Sequence, residues 1–79
     1  MEIRVLQYFL AVAHEKSITN AAKKLHISQP TMSKQLKQLE AELGQKLFTR
    51  TNYNIRLTEA GLLLQKRAEN IVALVDKTT

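Results

Sequence analysis

Residues 17–44 read Ser17-Ile18-Thr19-Asn20-Ala21-Ala22-Lys23-Lys24-Leu25-His26-Ile27-Ser28-Gln29-Pro30-Thr31-Met32-Ser33-Lys34-Gln35-Leu36-Lys37-Gln38-Leu39-Glu40-Ala41-Glu42-Leu43-Gly44. Two helices and a tight turn are written in this stretch. Ser17 precedes Ile18, and a serine there can accept an N–H bond from the first helical turn. Ile18, Ala21, Ala22 and Leu25 share one face, and the paired alanines let another helix come close. His26 and Ile27 leave this short helix as turn residues. Ser28 is the next cap, with Pro30 inside the following first turn, where a missing N–H matters little. Met32, Leu36, Leu39 and Leu43 step by four, three and four residues, which predicts one apolar stripe directed at a core. Gln29, Thr31, Ser33, Lys34, Lys37, Gln38 and Glu42 fall between them as a polar face. Gly44 is placed to end the helix in a left-handed conformation.

The flanks extend the pattern. Before the stretch, Ile3, Leu6, Phe9, Leu10 and Ala13 recur at helical spacing over about residues 2–15, and Val5, Tyr8 and Val12 broaden the apolar face. After it, Leu47-Phe48 and Ile55-Arg56-Leu57 are β-prone pieces around Thr49 to Asn54, which predicts a small hairpin that must pack on the helices. Thr58 caps a last helix from about Glu59 to Lys77. Its Ala60, Leu64, Ala68, Ile71 and Val75 step close to a heptad seam, with Leu62, Leu63, Val72 and Leu74 off it. The fold class expected is mainly α.

Composition narrows the function. The 79 residues contain no cysteine, which excludes disulfide scaffolds, thiolate metal sites and a cysteine nucleophile. The length fits one small domain. No run without a polar side chain exceeds that of Phe9 to Ala13, which is far short of a membrane span. No secretory leader is legible at Met1, so a cytoplasmic chain is expected. The net charge is +5, and it is unevenly placed. Lys16 to Arg56 carries eight basic and two acidic residues, whereas the two ends together carry four basic and five acidic. The excess therefore lies on the two-helix stretch and the hairpin, and it calls for a polyanion.

A helix-turn-helix presents its second helix to the major groove of DNA, with side chains near the helix N-terminus reaching base edges. Gln29, Thr31 and Ser33 suit hydrogen bonds to bases or phosphates, and Lys34 and Lys37 suit phosphate neutralisation. Lys23 and Lys24 read as a solvated face or as phosphate contacts. Enzyme chemistry has little to build on. His14 and His26 lie on different elements without a third ligand, Ser28 has no organised base, and no Gly-rich phosphate loop occurs. No catalytic residue, metal site or cofactor is expected in these residues. A membrane-surface helix fares no better: in the last helix Lys66, Arg67 and Lys77 are offset by Glu59, Glu69 and Asp76.

Phe9, the run from Ser17 to Pro30, then Ser33, Leu36, Leu39-Glu40, Leu43-Gly44, Leu47-Phe48-x-Arg50 and Leu57-Thr58-x-Ala60-Gly61 together resemble the N-terminal DNA-binding domain of LysR-type transcriptional regulators. The resemblance runs over nearly the whole chain. It implies a winged helix-turn-helix over residues 1–58, with a three-helix core and a β-hairpin wing. It also implies a long linker helix over 59–79 that pairs two subunits as a homodimer. Family members are usually several times longer and bind a small-molecule effector in a C-terminal domain, which is expected to lie outside these 79 residues. The resemblance places Gln29, Pro30 and Thr31 against bases, and Ser33 and Lys34 against bases or phosphate; Lys37 and Gln38 lie on the same face.

Family members often have Arg where Lys34 stands, and Lys keeps the charge without the bidentate fork. Arg50 resembles the arginine that ties the wing to phosphate; an ion pair with Glu40 or Glu42 is the structural alternative. Wing tips in the family often carry Gly and a basic residue for the minor groove, whereas this tip reads Thr51-Asn52-Tyr53-Asn54. Asn52 or Asn54 would take a positive-φ turn position, and Tyr53 would pack on a sugar or cover the hairpin. The seam residues Leu64, Ala68, Ile71 and Val75 are expected at the dimer interface; the alternative is a helix that covers only its own core.

Overall fold

The computed structural model describes residues 1–50 and 55–78. Helices α1 (Ile3–Glu15), α2 (Ile18–Lys24) and α3 (Gln29–Leu43) come first. A hairpin of β1 (Phe48–Arg50) and β2 (Ile55–Leu57) follows, and α4 (Glu59–Thr78) ends the chain. The architecture is the expected mainly helical one.

The helix boundaries have local causes. The Asn20 backbone N–H donates to Ser17 Oγ at 3.1 Å and the Thr31 N–H to Ser28 Oγ at 3.2 Å, so both serines cap as their positions require. Pro30 sits in the first turn of α3. At the end of α2, the Ile27 N–H donates to the Ala22 carbonyl at 3.0 Å and the His26 N–H to that of Lys23 at 3.2 Å. At the end of α3, the Gln45 N–H donates to the Glu40 carbonyl at 3.2 Å and the Gly44 N–H to that of Ala41 at 3.3 Å. Both are the paired backbone bonds that close a helix around one left-handed residue. That residue is Gly44, φ 65°, in α3, but His26, φ 59°, in α2.

Most of the core is one cluster. Phe9 and Val12 of α1, Ala21 and Ala22 of α2, Met32, Leu36 and Leu39 of α3, and Leu47 are all buried in it. Leu43, which continues the α3 stripe in sequence, is exposed in the last turn. Spacing fixes the direction of a side chain around the helix axis, not how far neighbours extend along that axis. Tyr8 is half-buried against the cluster.

The strands are antiparallel, with Phe48 opposite Leu57, Thr49 opposite Arg56 and Arg50 opposite Ile55. Phe48, Ile55 and Leu57 pack inward, and the Phe48 ring meets Phe9 at a centroid distance of 5.4 Å and a 46° tilt. A three-residue hairpin has too few contacts to hold itself, so this docking is what orders it.

The connection before β1 is pinned from two sides. The Leu47 N–H donates to the Glu40 carboxylate at 2.7 Å. Thr58 Oγ donates to the Lys46 carbonyl at 2.6 Å and accepts from the Gly61 N–H at 3.0 Å, and the Thr58 N–H donates to the Leu47 carbonyl at 3.0 Å. Glu40 is thus structural, and Thr58 caps α4 while holding the hairpin base. Gly61 is buried here because a Cβ on it would collide with the Leu47 carbonyl oxygen.

Helix α4 lies along α1. Ala60 and Leu64 pack on the core, and Ala68 has no exposed surface. Of these last two residues, both expected at the dimer interface, Ala68 is wholly enclosed within a single copy, whereas Leu64 is half-buried and keeps some open surface. Val75 is half-buried, whereas Ile71 is 37 % exposed. The apolar side chains left in the open on α4 are Leu62, Leu63 and Leu74, each more than half exposed. No helix among the described residues is long and apolar enough to cross a membrane.

Candidate nucleic-acid interface

Helix α3 has two unlike faces. Met32, Leu36 and Leu39 anchor one side in the core. At about 100° per residue, Pro30, Ser33, Lys34, Lys37 and Ala41 are carried to the opposite side, where with Gln38 they line one shallow depression. Gln29, Pro30, Thr31, Lys34, Lys37 and Gln38 are exposed, and Ser33 is half-buried. Every expected α3 residue thus keeps open surface, and Pro30, Ser33, Lys34, Lys37 and Gln38 share one depression.

The start of this face is pre-ordered. Gln29 Nε2 donates to Ser33 Oγ at 2.9 Å, and Ser28 Oγ donates to Thr31 Oγ at 2.8 Å. The amide of Gln29 is thereby held along the helix with its oxygen free to accept. Held polar groups lose less rotamer freedom on binding than loose ones. The N-terminal end of the helix dipole adds a partial positive charge beside them.

Arg50 is exposed at the end of β1. Its structural alternative does not form: Glu40 accepts from Leu47, and Glu42 pairs with the Met1 ammonium at 3.0 Å. Arg50 is accordingly available to an external anion. Lys24 is engaged internally, 3.2 Å from Glu15, which ties α2 to α1 and favours the solvated-face reading for it. Asn52, Tyr53 and Asn54 lie outside the described residues.

Sequence reading passed over two features of the site. Lys46, in the connection between α3 and the hairpin, is exposed and borders the crevice that holds Lys37 and Arg50. Its sequence signal is its share in the basic excess of residues 16–56, and a loop gives no periodicity from which to read direction. The second is the coupling of Glu40 to Leu47, a contact across seven residues that no local pattern announces.

A family model described as bacterial regulatory helix-turn-helix protein, lysR family, matches residues 3–62. The HTH-type transcriptional regulator BudR of Klebsiella aerogenes is 51 % identical over 76 residues, 96 % of this chain and 53 % of BudR. The HTH-type transcriptional regulator BsdA of Bacillus subtilis (strain 168) is 52 % identical over 73 residues, 91 % of this chain and 25 % of BsdA. The chain thus spans from a quarter to about half the length of these relatives. Among solved structures, the BenM DNA-binding domain in complex with catB site 1 DNA superposes with a TM-score of 0.95 at 41 % identity, covering 99 % of this chain and 87 % of that one. Full-length CbnR complexed with its target DNA gives 0.93 at 42 % identity, covering 99 % of this chain and 27 % of that one. A capped, basic second helix, a docked hairpin and these likenesses agree: the chain belongs to the lysR family of bacterial regulatory helix-turn-helix proteins.

Proposed function

We propose that this chain reads double-stranded DNA in a sequence-specific manner, as the DNA-binding domain of a cytoplasmic transcriptional regulator. Helix α3 enters the major groove, and the hairpin wing rests on the adjacent backbone or minor groove. The observation that carries the reading is the exposed α3 face from Gln29 to Gln38, with its amide and hydroxyl groups pre-ordered and Lys34 and Lys37 beside them. Close likeness to two proteins solved with DNA supports it. Gln29, Pro30, Thr31 and Ser33 contact base edges; Lys34, Lys37, Gln38 and Arg50 hold phosphates. Asn52, Tyr53 and Asn54 complete the set as further DNA contacts. No cofactor takes part in this binding, and a small-molecule effector acts through residues outside this chain.

Two copies pair through α4. Ile71 and Val75 remain from the expected seam, and Leu63 and Leu74, eleven residues apart and so nearly in line on a helix, extend an exposed apolar strip beside them. A two-fold dimer then binds two half-sites about one helical turn, or a multiple of it, apart.

Titration with duplex DNA at several salt concentrations tests the reading. Log affinity should fall with log salt by about 0.9 per phosphate contacted. Gln29→Ala should cost about 1–3 kcal/mol on the preferred duplex and little elsewhere, whereas Lys34→Ala should weaken all duplexes alike. Salt-independent binding, or binding to anionic vesicles in place of DNA, overturns the proposal.

A further inference from the structure

The expected DNA contacts fall into two separate groups, one on α3 and one on the wing. Between them runs a crevice bordered by Ser33, Lys37, Glu40, Lys46, Thr49 and Arg50. Lys37 and Lys46 also border the neighbouring depression at the end of α3, and Lys37 shares a third with Lys34. Lys34, Lys37, Lys46 and Arg50 thus mark one unbroken basic path from the first turns of α3 to the wing.

We propose that Lys46 is a DNA phosphate anchor, and that one strand of the duplex follows this path, its phosphates running from Lys34 past Lys46 to Arg50. The inference rests on the DNA-binding reading and adds to it a contact residue in the connection itself. Three facts carry it. First, Lys46 is exposed and has no ion pair among the described residues, unlike Lys24. Second, its backbone is immobilised: its carbonyl accepts from Thr58 Oγ at 2.6 Å, and the next residue's N–H donates to Glu40 at 2.7 Å. A flexible loop would have to be ordered by its ligand, and this one is ordered already.

Third, the charges match. Three cations border the crevice against one carboxylate, and that carboxylate is occupied by the Leu47 N–H. Cations gathered along a line repel one another in the free chain. A strand supplies one anion about every 3.4 Å of helix axis and relieves that repulsion along the whole path.

The test uses a duplex selected from random sequences for tight binding by the parent chain. Affinity is measured from about 50 to 200 mM salt. Lys46→Gln should lower the slope of log affinity against log salt by about 0.9 per subunit and so by about 1.8 for the dimer, which weakens binding about twelvefold more at the low end of that range than at the high end. Discrimination between the selected and a scrambled duplex should be unchanged, and Lys46→Arg should keep the parent slope. Lys66→Gln on α4 serves as the control and should also keep it. Methylphosphonates placed singly along each strand locate the contact: one position in each half-site should weaken the parent while leaving Lys46→Gln indifferent. A parent slope in Lys46→Gln, or equal losses for both proteins at every position, overturns the inference while the DNA-binding reading stands. A parent chain without salt-dependent DNA binding overturns both.

Discussion

His26 shows how much one residue decides. The turn between α2 and α3 needs a left-handed residue, because only that conformation lets Ile27 and His26 donate back to Ala22 and Lys23. Gly44 meets the same need in α3 without a Cβ. Histidine tolerates the conformation better than most side chains, yet carries strain of about 1–2 kcal/mol. Its side chain is exposed. His26→Gly should therefore raise stability, by up to about 1.5 kcal/mol after glycine's extra unfolded-state entropy of about 0.5–1 kcal/mol is subtracted. Urea denaturation of both chains checks the sign. His26→Val should lower stability, since a β-branched residue resists positive φ more strongly. Sequence alone marks His26 as a turn residue; the handedness of that residue follows from the two backbone bonds, which depend on how α2 and α3 are set against each other.

At the scale of elements, the relation between α3 and the hairpin matters most for binding. The hairpin is held by the Phe9–Phe48 contact, the Glu40–Leu47 bond and the Thr58 bonds to residues 46 and 47. Glu40→Ala leaves the Leu47 N–H without its partner. A hydrogen bond to a charged group contributes about 1.5–3 kcal/mol, so thermal unfolding should shift by a matching amount. Amide hydrogen exchange at Leu47 should rise more than exchange in α1. Glu40→Gln retains an acceptor oxygen and should lose less; an equal loss would show that packing rather than the bond is responsible. The helix ends were legible because caps are local: Ser17, Ser28, Gly44 and Thr58 each act within four residues. The Glu40 latch was not, because its partner lies beyond the end of the helix and across a turn.

At the scale of the molecule, α4 faces two ways. Its Ala60, Leu64 and Ala68 close the core over α1, while Leu62, Leu63 and Leu74 remain more than half exposed and Ile71 partly so. A large exposed apolar strip on a small domain marks an interaction surface. Ile71→Lys and Leu74→Lys should each shift the chain towards monomer in sedimentation, by placing a charge in an apolar contact. Ala68→Lys makes the contrast: it should unfold the chain, since Ala68 is 0 % exposed within a single copy. A dimer that survives both Ile71→Lys and Leu74→Lys would place the interface elsewhere.

The sequence by itself determined the order and type of the elements, the caps, the stripe that faces the core, and the basic face of α3. All of these follow from spacing within one segment, where three or four residues fix a direction and one side chain fixes an end. It also determined where the positive charge lies, since charge is additive along the chain. Tertiary structure alone decided three things. It enclosed Ala68 within a single copy and left Leu64 half-buried against the core, because a helix with apolar residues on two sides does not state which neighbour takes which. It exposed Leu43, because periodicity does not measure the length of the helices packed alongside. And it joined Lys37, Lys46 and Arg50 around one crevice, because the path of a connection is set by the elements it links and the bonds that hold it.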